Sequence, residues 1–276
     1  QTNTVTVHDA FEFSVSSPTG VTFPLREDQS FALVHPLLLS LNLPGEAVVR
    51  VRLKNWLDHQ QTVSVATEQS DLELTPASAS VKLAAGAEQT VEMRVKPTTG
   101  SGLYHLYLRL HGEGLEVVER TFIAVVAPHD ALAYAFDFDR DGFDDVILEN
   151  QQVRLFISPK AGGRSFGFVL KSTNHNSFDS IGGLHDTFAT RFEPDDLKGL
   201  PDWTRANWLG LYNRPYVYRI SKVSGHHVEV QLAYEAPDIY PKGVKLTRTM
   251  SLDGDQNVVV ADYKLTPLGI DKPQAF

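Results

Sequence analysis

Between residues 137 and 145 the chain reads Asp137-Phe-Asp139-Arg-Asp141-Gly142-Phe143-Asp144-Asp145, five carboxylates in nine positions. So many like charges repel at short range unless a cation gathers them. Hard oxygen donors in this number suit Ca2+, whereas zinc or copper would want imidazole or thiolate. The spacing puts Asp137, Asp139 and Asp141 at positions one, three and five of a calcium loop. Gly142 falls at position six, where the chain must turn sharply, the Phe143 carbonyl at seven and Asp145 at nine. Position twelve is Leu148, and Glu149 comes one residue too late to be the bidentate carboxylate of a helix–loop–helix site. Val146-Ile147-Leu148 is apolar and mostly β-branched, so the loop is expected to run into a buried strand, with Asp145 or a remote oxygen completing the sphere. Nothing in the run resembles a nucleophile or a proton shuttle. The expected role of Ca2+ is structural, and the alternative is a solvated acidic turn without an ion.

A second concentration of chemistry lies in residues 171–215, where periodicity is weakest and aromatic and polar residues are mixed. Sugars present apolar ring faces and rims of hydroxyls, so a sugar site wants flat aromatics beside polar and charged groups. Trp203, Trp208, Arg191 and Tyr212 are the candidate ligand-binding residues. Two of the three tryptophans of the chain stand there, five residues apart. The competing assignment for both is burial as plugs of a core. His185-Asp186 is a weak catalytic candidate, since a carboxylate can fix the tautomer of an imidazole that titrates near neutrality. Glu193, Asp195 and Asp196 cluster around Pro194 and read as a solvated loop, and His226-His227 follows Ser224-Gly225, read as a hairpin turn. The chain has no nucleophile elbow, no phosphate-cradling glycine loop and no zinc motif.

Two compact units are expected to position these residues. A length of 276 residues favours two domains, each with its own core. A net charge of −9 and pI near 5.5 argue against nucleic acid or anionic membrane as a partner. No apolar run approaches the ~20 residues of a membrane span. Cysteine is absent, so neither disulfides nor thiolate metal sites contribute. The sequence opens Gln1-Thr2-Asn3, as a processed chain would. A calcium loop fills most readily at extracellular calcium levels, so a secreted or bacterial periplasmic location is the expectation.

Alternation of period two runs through Ala47–Leu53, Thr62–Val65, Val91–Val95 and Leu103–Leu110, the pattern of strands with one wet face. Leu43-Pro44-Gly45, Ala85-Gly86, Gly100-Ser101 and Gly112-Glu113-Gly114 punctuate them as turns. Short strands at such spacing indicate an antiparallel sandwich. Residues 30–127 resemble the Ig-like modules that accompany bacterial carbohydrate-active enzymes. The resemblance is carried by Val49-Arg-Val-Arg-Leu-Lys-Asn55, Leu74-Thr-Pro76, Val81-Lys-Leu83-Ala-Ala-Gly86, Gln89–Val95 and Gly102-Leu-Tyr104.

Around 124–131 a strand ends, Pro128 stops pairing and the acidic loop follows, which places a boundary near 128–133. The expected domains are 1–130, an Ig-like β-sandwich, and 131–276, a β-sandwich containing the calcium loop. In the second, the acidic loop, Leu148-Glu149-Asn150, Ser158-Pro159-Lys-Ala-Gly162-Gly163 and the paired runs Val244–Leu252 and Val258–Leu265 resemble galactose mutarotase-like β-supersandwich domains. Similar domains close certain α-amylase and glucanotransferase families. Gly182-Gly183-Leu184-His185-Asp186-Thr187-Phe188 departs in order from the Asp-His-Phe region of those domains. They also continue beyond such a hairpin, whereas this sequence stops at Phe276, so a complete catalytic apparatus is not expected. The reading is thus an all-β, non-catalytic carbohydrate-recognition or accessory protein. A sugar-modifying enzyme (epimerase or glycoside hydrolase-type) and a structural envelope module that docks a protein partner stay open beside it.

Overall fold

The computed structural model describes residues 3–6, 12–15, 32–35, 38–70, 72–97, 100–137, 141–178, 215–236 and 244–268. The chain divides into two compact units, Gln1–Val126 and Ala127–Phe276. Every regular element among the described residues is a β-strand, and no helix there is long and apolar enough to cross a membrane.

The first unit opens with a hairpin of β1 (Asn3–Thr6) and β2 (Glu12–Val15). Two sheets follow. One orders β3 (Ala32–His35), β5 (Ala47–Lys54), β9 (Glu88–Pro97) and β7 (Leu72–Thr75) as β3-β5-β9-β7. The other comprises β4 (Leu38–Asn42), β6 (Gln61–Ser70), β8 (Ser78–Leu83), β10 (Gly102–Gly112) and β11 (Leu115–Val126), ordered β4-β11-β10-β6-β8. Numbering the main strands A to G along the chain gives A-B-E-D on one sheet and G-F-C on the other, the immunoglobulin-type arrangement. Two additions depart from it: β4 pairs in parallel with β11, and β8 extends the second sheet beyond β6.

The physical cause of this sandwich is the period-two pattern. In β5 the residues Val49, Val51 and Leu53 are fully buried, while Val48, Arg50 and Arg52 point the other way. Val63 and Val65, Val91, Met93 and Val95, and Leu106, Leu108 and Leu110 meet them in one apolar cluster shared by both sheets. At the β5–β6 connection the buried amide of Asn55 donates to the carbonyls of His59, Leu83 and Ala84. Its oxygen accepts from the Leu57 amide and the Gln61 side chain, which satisfies backbone that apolar burial would otherwise orphan.

In the second unit a six-stranded sheet runs β16-β15-β14-β13-β12-β18. It is built from β12 (Ala131–Phe136), β13 (Asp145–Asn150), β14 (Val153–Ser158), β15 (Arg164–Leu170), β16 (His175–Asn176) and β18 (Ser224–Gly225). A four-stranded sheet, β17-β19-β20-β21, uses β17 (Val217–Lys222), β19 (His227–Ala236), β20 (Val244–Asp253) and β21 (Val259–Pro267). The sheets share a core of Ala133, Val146, Leu148, Val153, Leu155, Ile157, Val228, Val230, Leu232, Leu246, Met250 and Leu252. Ser224-Gly225 lies in the connection from β17 to β19, and beyond turning the chain it pairs with Ala131 and Leu132 of β12.

Candidate functional site

The acidic run is the connection between β12 and β13. Phe136 pairs with Asp145, so the intervening residues must fold back over a single rung of the ladder. The backbone does this around Asp137. One of its carboxylate oxygens accepts the Asp141 amide at 3.0 Å and the other accepts the Gly142 amide at 3.0 Å. Asp141 in turn accepts the Phe143 amide at 2.9 Å. Gly142 has φ +87°, a conformation a Cβ would disfavour. The glycine is therefore where the sequence reading needs it, at the sharp turn.

The carboxylates then part company. Asp141 receives the Lys160 ammonium at 2.8 Å, and the same ammonium stands 3.8 Å from the centroid of the exposed Phe143 ring. Asp144 accepts the Tyr218 hydroxyl at 3.1 Å. Partial burial, reinforced by that bond and the Asp144 charge, pushes the Tyr218 phenol up to about 12. Asp145 is buried as the first residue of β13. Among the described residues no group of three or more His, Asp or Glu side chains is placed to hold a metal ion, and Asp139 lies outside them. The donor set of carboxylates and a loop carbonyl nevertheless has the chemistry of a Ca2+ site, with Lys160 as the competing cation for Asp141. Asp137, Asp141, Phe143 and Asp145 would hold the ion and Asp139 would join them. Calcium, if bound, would supply charge neutralisation of the turn.

The other sequence candidates, Trp203, Trp208, Arg191, Tyr212, His185 and Asp186, also lie outside the described residues. His226 and His227 do not come together on one ligand. His226 Nδ1 lies 3.1 Å from the His129 carbonyl oxygen, whereas His227 Nδ1 pairs with Asp253 at 2.5 Å. Asp255 accepts from His129 at 2.6 Å.

Two neighbouring residues have roles that the sequence reading missed. Glu149 is wholly buried and accepts the Tyr134 hydroxyl at 2.7 Å, Arg154 Nε at 3.0 Å and Lys171 Nζ at 2.6 Å. Burial and the adjacent Glu149 charge raise the Tyr134 phenol well above its ordinary value, while burial lowers the Lys171 ammonium against the pull of the same carboxylate. Asn150, equally buried, donates to the Asp253 and Gln256 carbonyls at 2.8 and 2.5 Å. Its oxygen accepts the Gln152 and Val153 amides. A charged residue ending an apolar run was the available signal for Glu149.

No protein-family model matches the chain, and no curated protein sequence matches it. Among solved structures, the YadV chaperone aligns at 7% identity over 86% of this chain and 100% of its own, with a TM-score of 0.30. The CupB2 chaperone of Pseudomonas aeruginosa aligns at 8% identity over 86% and 100%, TM-score 0.28. The calcium binding domain CBD12 of CALX1.1 aligns at 11% identity over 46% and 78%, TM-score 0.28. Likenesses this distant assign neither chemistry nor partner.

Proposed function

We propose that this chain is an exported, non-catalytic accessory protein in which Ca2+ organises the loop at the head of the second unit. The observation that supports the reading is the wrapping of loop backbone around Asp137, with two amides on its two oxygens and Gly142 at the turn. That arrangement satisfies backbone donors and gathers the carboxylates of the run at one turn, where Asp141 already draws the Lys160 ammonium. The carbohydrate-recognition part of the proposal rests on Trp203, Trp208, Arg191 and Tyr212. The mutarotase-like relationship of the second unit and the division at 130/131 rest on the sequence motifs given above.

Calcium removal is the direct test. EGTA is expected to lower the melting temperature of the second unit, and elemental analysis of dialysed protein is expected to find one calcium per chain. An unmoved transition in metal-free protein would overturn the reading. Calorimetry against a panel of polysaccharides tests the recognition half, with heats lost in Trp203→Ala and Trp208→Ala; no heat with any glycan would sink it. A second reading is favoured by the Lys160–Asp141 and Tyr218–Asp144 contacts: the turn closes on its own neighbours and the protein serves as an envelope interaction module. In that case neither calcium nor sugar moves any signal.

A further inference from the structure

We propose that His59 is a proton-operated latch at one end of the first unit: its cationic ring ties the β5–β6 connection to the β10–β11 turn, and its neutral ring lets that tie go. The inference is independent of calcium and carbohydrate. His59 Nδ1 lies 2.9 Å from an Asp58 carboxylate oxygen, and Nε2 lies 2.9 Å from a Glu113 carboxylate oxygen. Glu113 belongs to the Glu113-Gly114 turn between β10 and β11, 54 residues further along the chain. An ionised carboxylate can only accept a hydrogen bond, and a neutral imidazole has one N–H and one lone pair. Both contacts are therefore hydrogen bonds only while both ring nitrogens carry protons. Loss of either proton sets a lone pair against a carboxylate, and one of the two bonds must open.

The bonds around the ring do not titrate over the range in which an imidazole does. Asn55 Nδ2 donates to the His59 carbonyl at 2.8 Å, and Asn55 Oδ1 accepts the Leu57 amide and the Gln61 side chain. Gln61 Oε1 accepts the Glu113 amide at 3.1 Å. The β8–β9 turn adds the carbonyls of Ala84 and Ala87, both bonded to Asn55. The charged groups on the ring are Asp58 from its own connection and Glu113 from the turn. Charges on the adjoining strands are matched to one another. Lys54 stands over the Trp56 ring, Arg52 pairs with Glu88, and Arg109 sits between Glu68 and Glu116. His111 lies opposite Glu116 in the β10–β11 ladder.

The electrostatics agree with this geometry. The bond to Asp58, followed by the bond to Glu113 and its charge, raises the His59 imidazolium above its ordinary value of about 6.5. The same ring holds the Asp58 carboxyl below its own ordinary value. The folded chain thus keeps a proton that the unfolded chain releases first. The tie is complete below about pH 6.5 and is lost as pH rises through the raised value. His59 and both carboxylates are exposed, so the latch follows the pH of the surrounding medium.

Heteronuclear NMR of the histidine-labelled full chain tests this, with the His59 signals identified by their loss in His59→Gln. At about pH 6 both ring nitrogens should be protonated, and the titration midpoint should lie above about 6.5. Glu113→Gln should lower that midpoint. Glu73→Gln removes the same charge from β7 and should leave it in place. Glu113 and Glu73 are exposed, and unchanged melting temperatures will verify that both variants fold. Hydrogen exchange reads the tie itself: protection of the Leu57 and Glu113 amides should fall several-fold from about pH 6 to about pH 9. In Glu113→Gln that protection should be low at both. A midpoint at or below about 6.5 overturns the proposal. So does a midpoint that Glu113→Gln leaves unmoved or that Glu73→Gln moves equally, or protection in the unaltered chain that ignores pH.

Discussion

If calcium occupies the acidic loop, Lys160 competes with it for the Asp141 carboxylate, and that competition is measurable at a single residue. The ammonium already neutralises Asp141 at 2.8 Å, so an incoming ion must displace it. Lys160→Met removes the competitor while keeping the aliphatic stem against Phe143. It is expected to tighten calcium binding several-fold, read by titration with a chelating indicator, provided the loop is the site. Glu149 presents the opposite situation. Its carboxylate is surrounded by Tyr134, Arg154 and Lys171 with no access to water. Glu149→Gln leaves two cations facing a neutral amide, and the expected cost is about 3 kcal/mol in urea denaturation. Tyr218 supplies a pH signature. Its folded phenol is raised to about 12, so the folded state keeps a proton that the unfolded chain sheds above about 10. The stability from this group is complete below pH 10 and is lost as pH rises towards 12. Tyr218→Phe should flatten the alkaline fall in melting temperature over that window.

At the scale of elements, the strands that one wet face defines were readable from residue order alone. Ala47–Leu53 and Val91–Val95 alternate in sequence, and their apolar members are the buried ones. Val146-Ile147-Leu148 was readable as a buried strand because it is apolar on both faces, and β13 is indeed buried along its whole length. What order alone does not convey is pairing across distance. Nothing local announces that β4 runs parallel to β11, or that Ser224-Gly225 joins the edge of β12. For the acidic loop, the turn at Gly142 and the strand after it were legible from spacing. Lys160 and Tyr218 were not, because they arrive from 19 and 74 residues away. Asn150 is another such case. Its amide joins the β13–β14 turn to the β20–β21 turn, and at Gly254 in the latter a side chain would run into the His129 carbonyl. Asn150→Ala should cost about 3 kcal/mol, since four backbone groups lose their partner. Hydrogen exchange should quicken at the Gln152 and Val153 amides before it does in β19.

For the whole molecule, two separate cores in one chain predict two calorimetric transitions. Chelation should move one and leave the other in place, because the acidic loop belongs to Ala127–Phe276 alone. Glu149→Gln and Asn150→Ala should depress the same transition that chelation moves. A single merged endotherm shifted by all three perturbations would mean that the units unfold together.

The Asn150 clasp also bears on the order in which the protein is made. Its carbonyl partners come 103 and 106 residues later in the chain, so synthesis must run past Gln256 before that end of the second sandwich can be fastened. Among the described residues the first unit finds its sheet partners within residues 1–126 and is free to fold while the remainder is still being synthesised. Until β20 emerges with Leu246, Met250 and Leu252, the apolar inner surface of the six-stranded sheet stays only partly covered by β17 and β19, and in that interval a nascent chain would benefit most from a holdase.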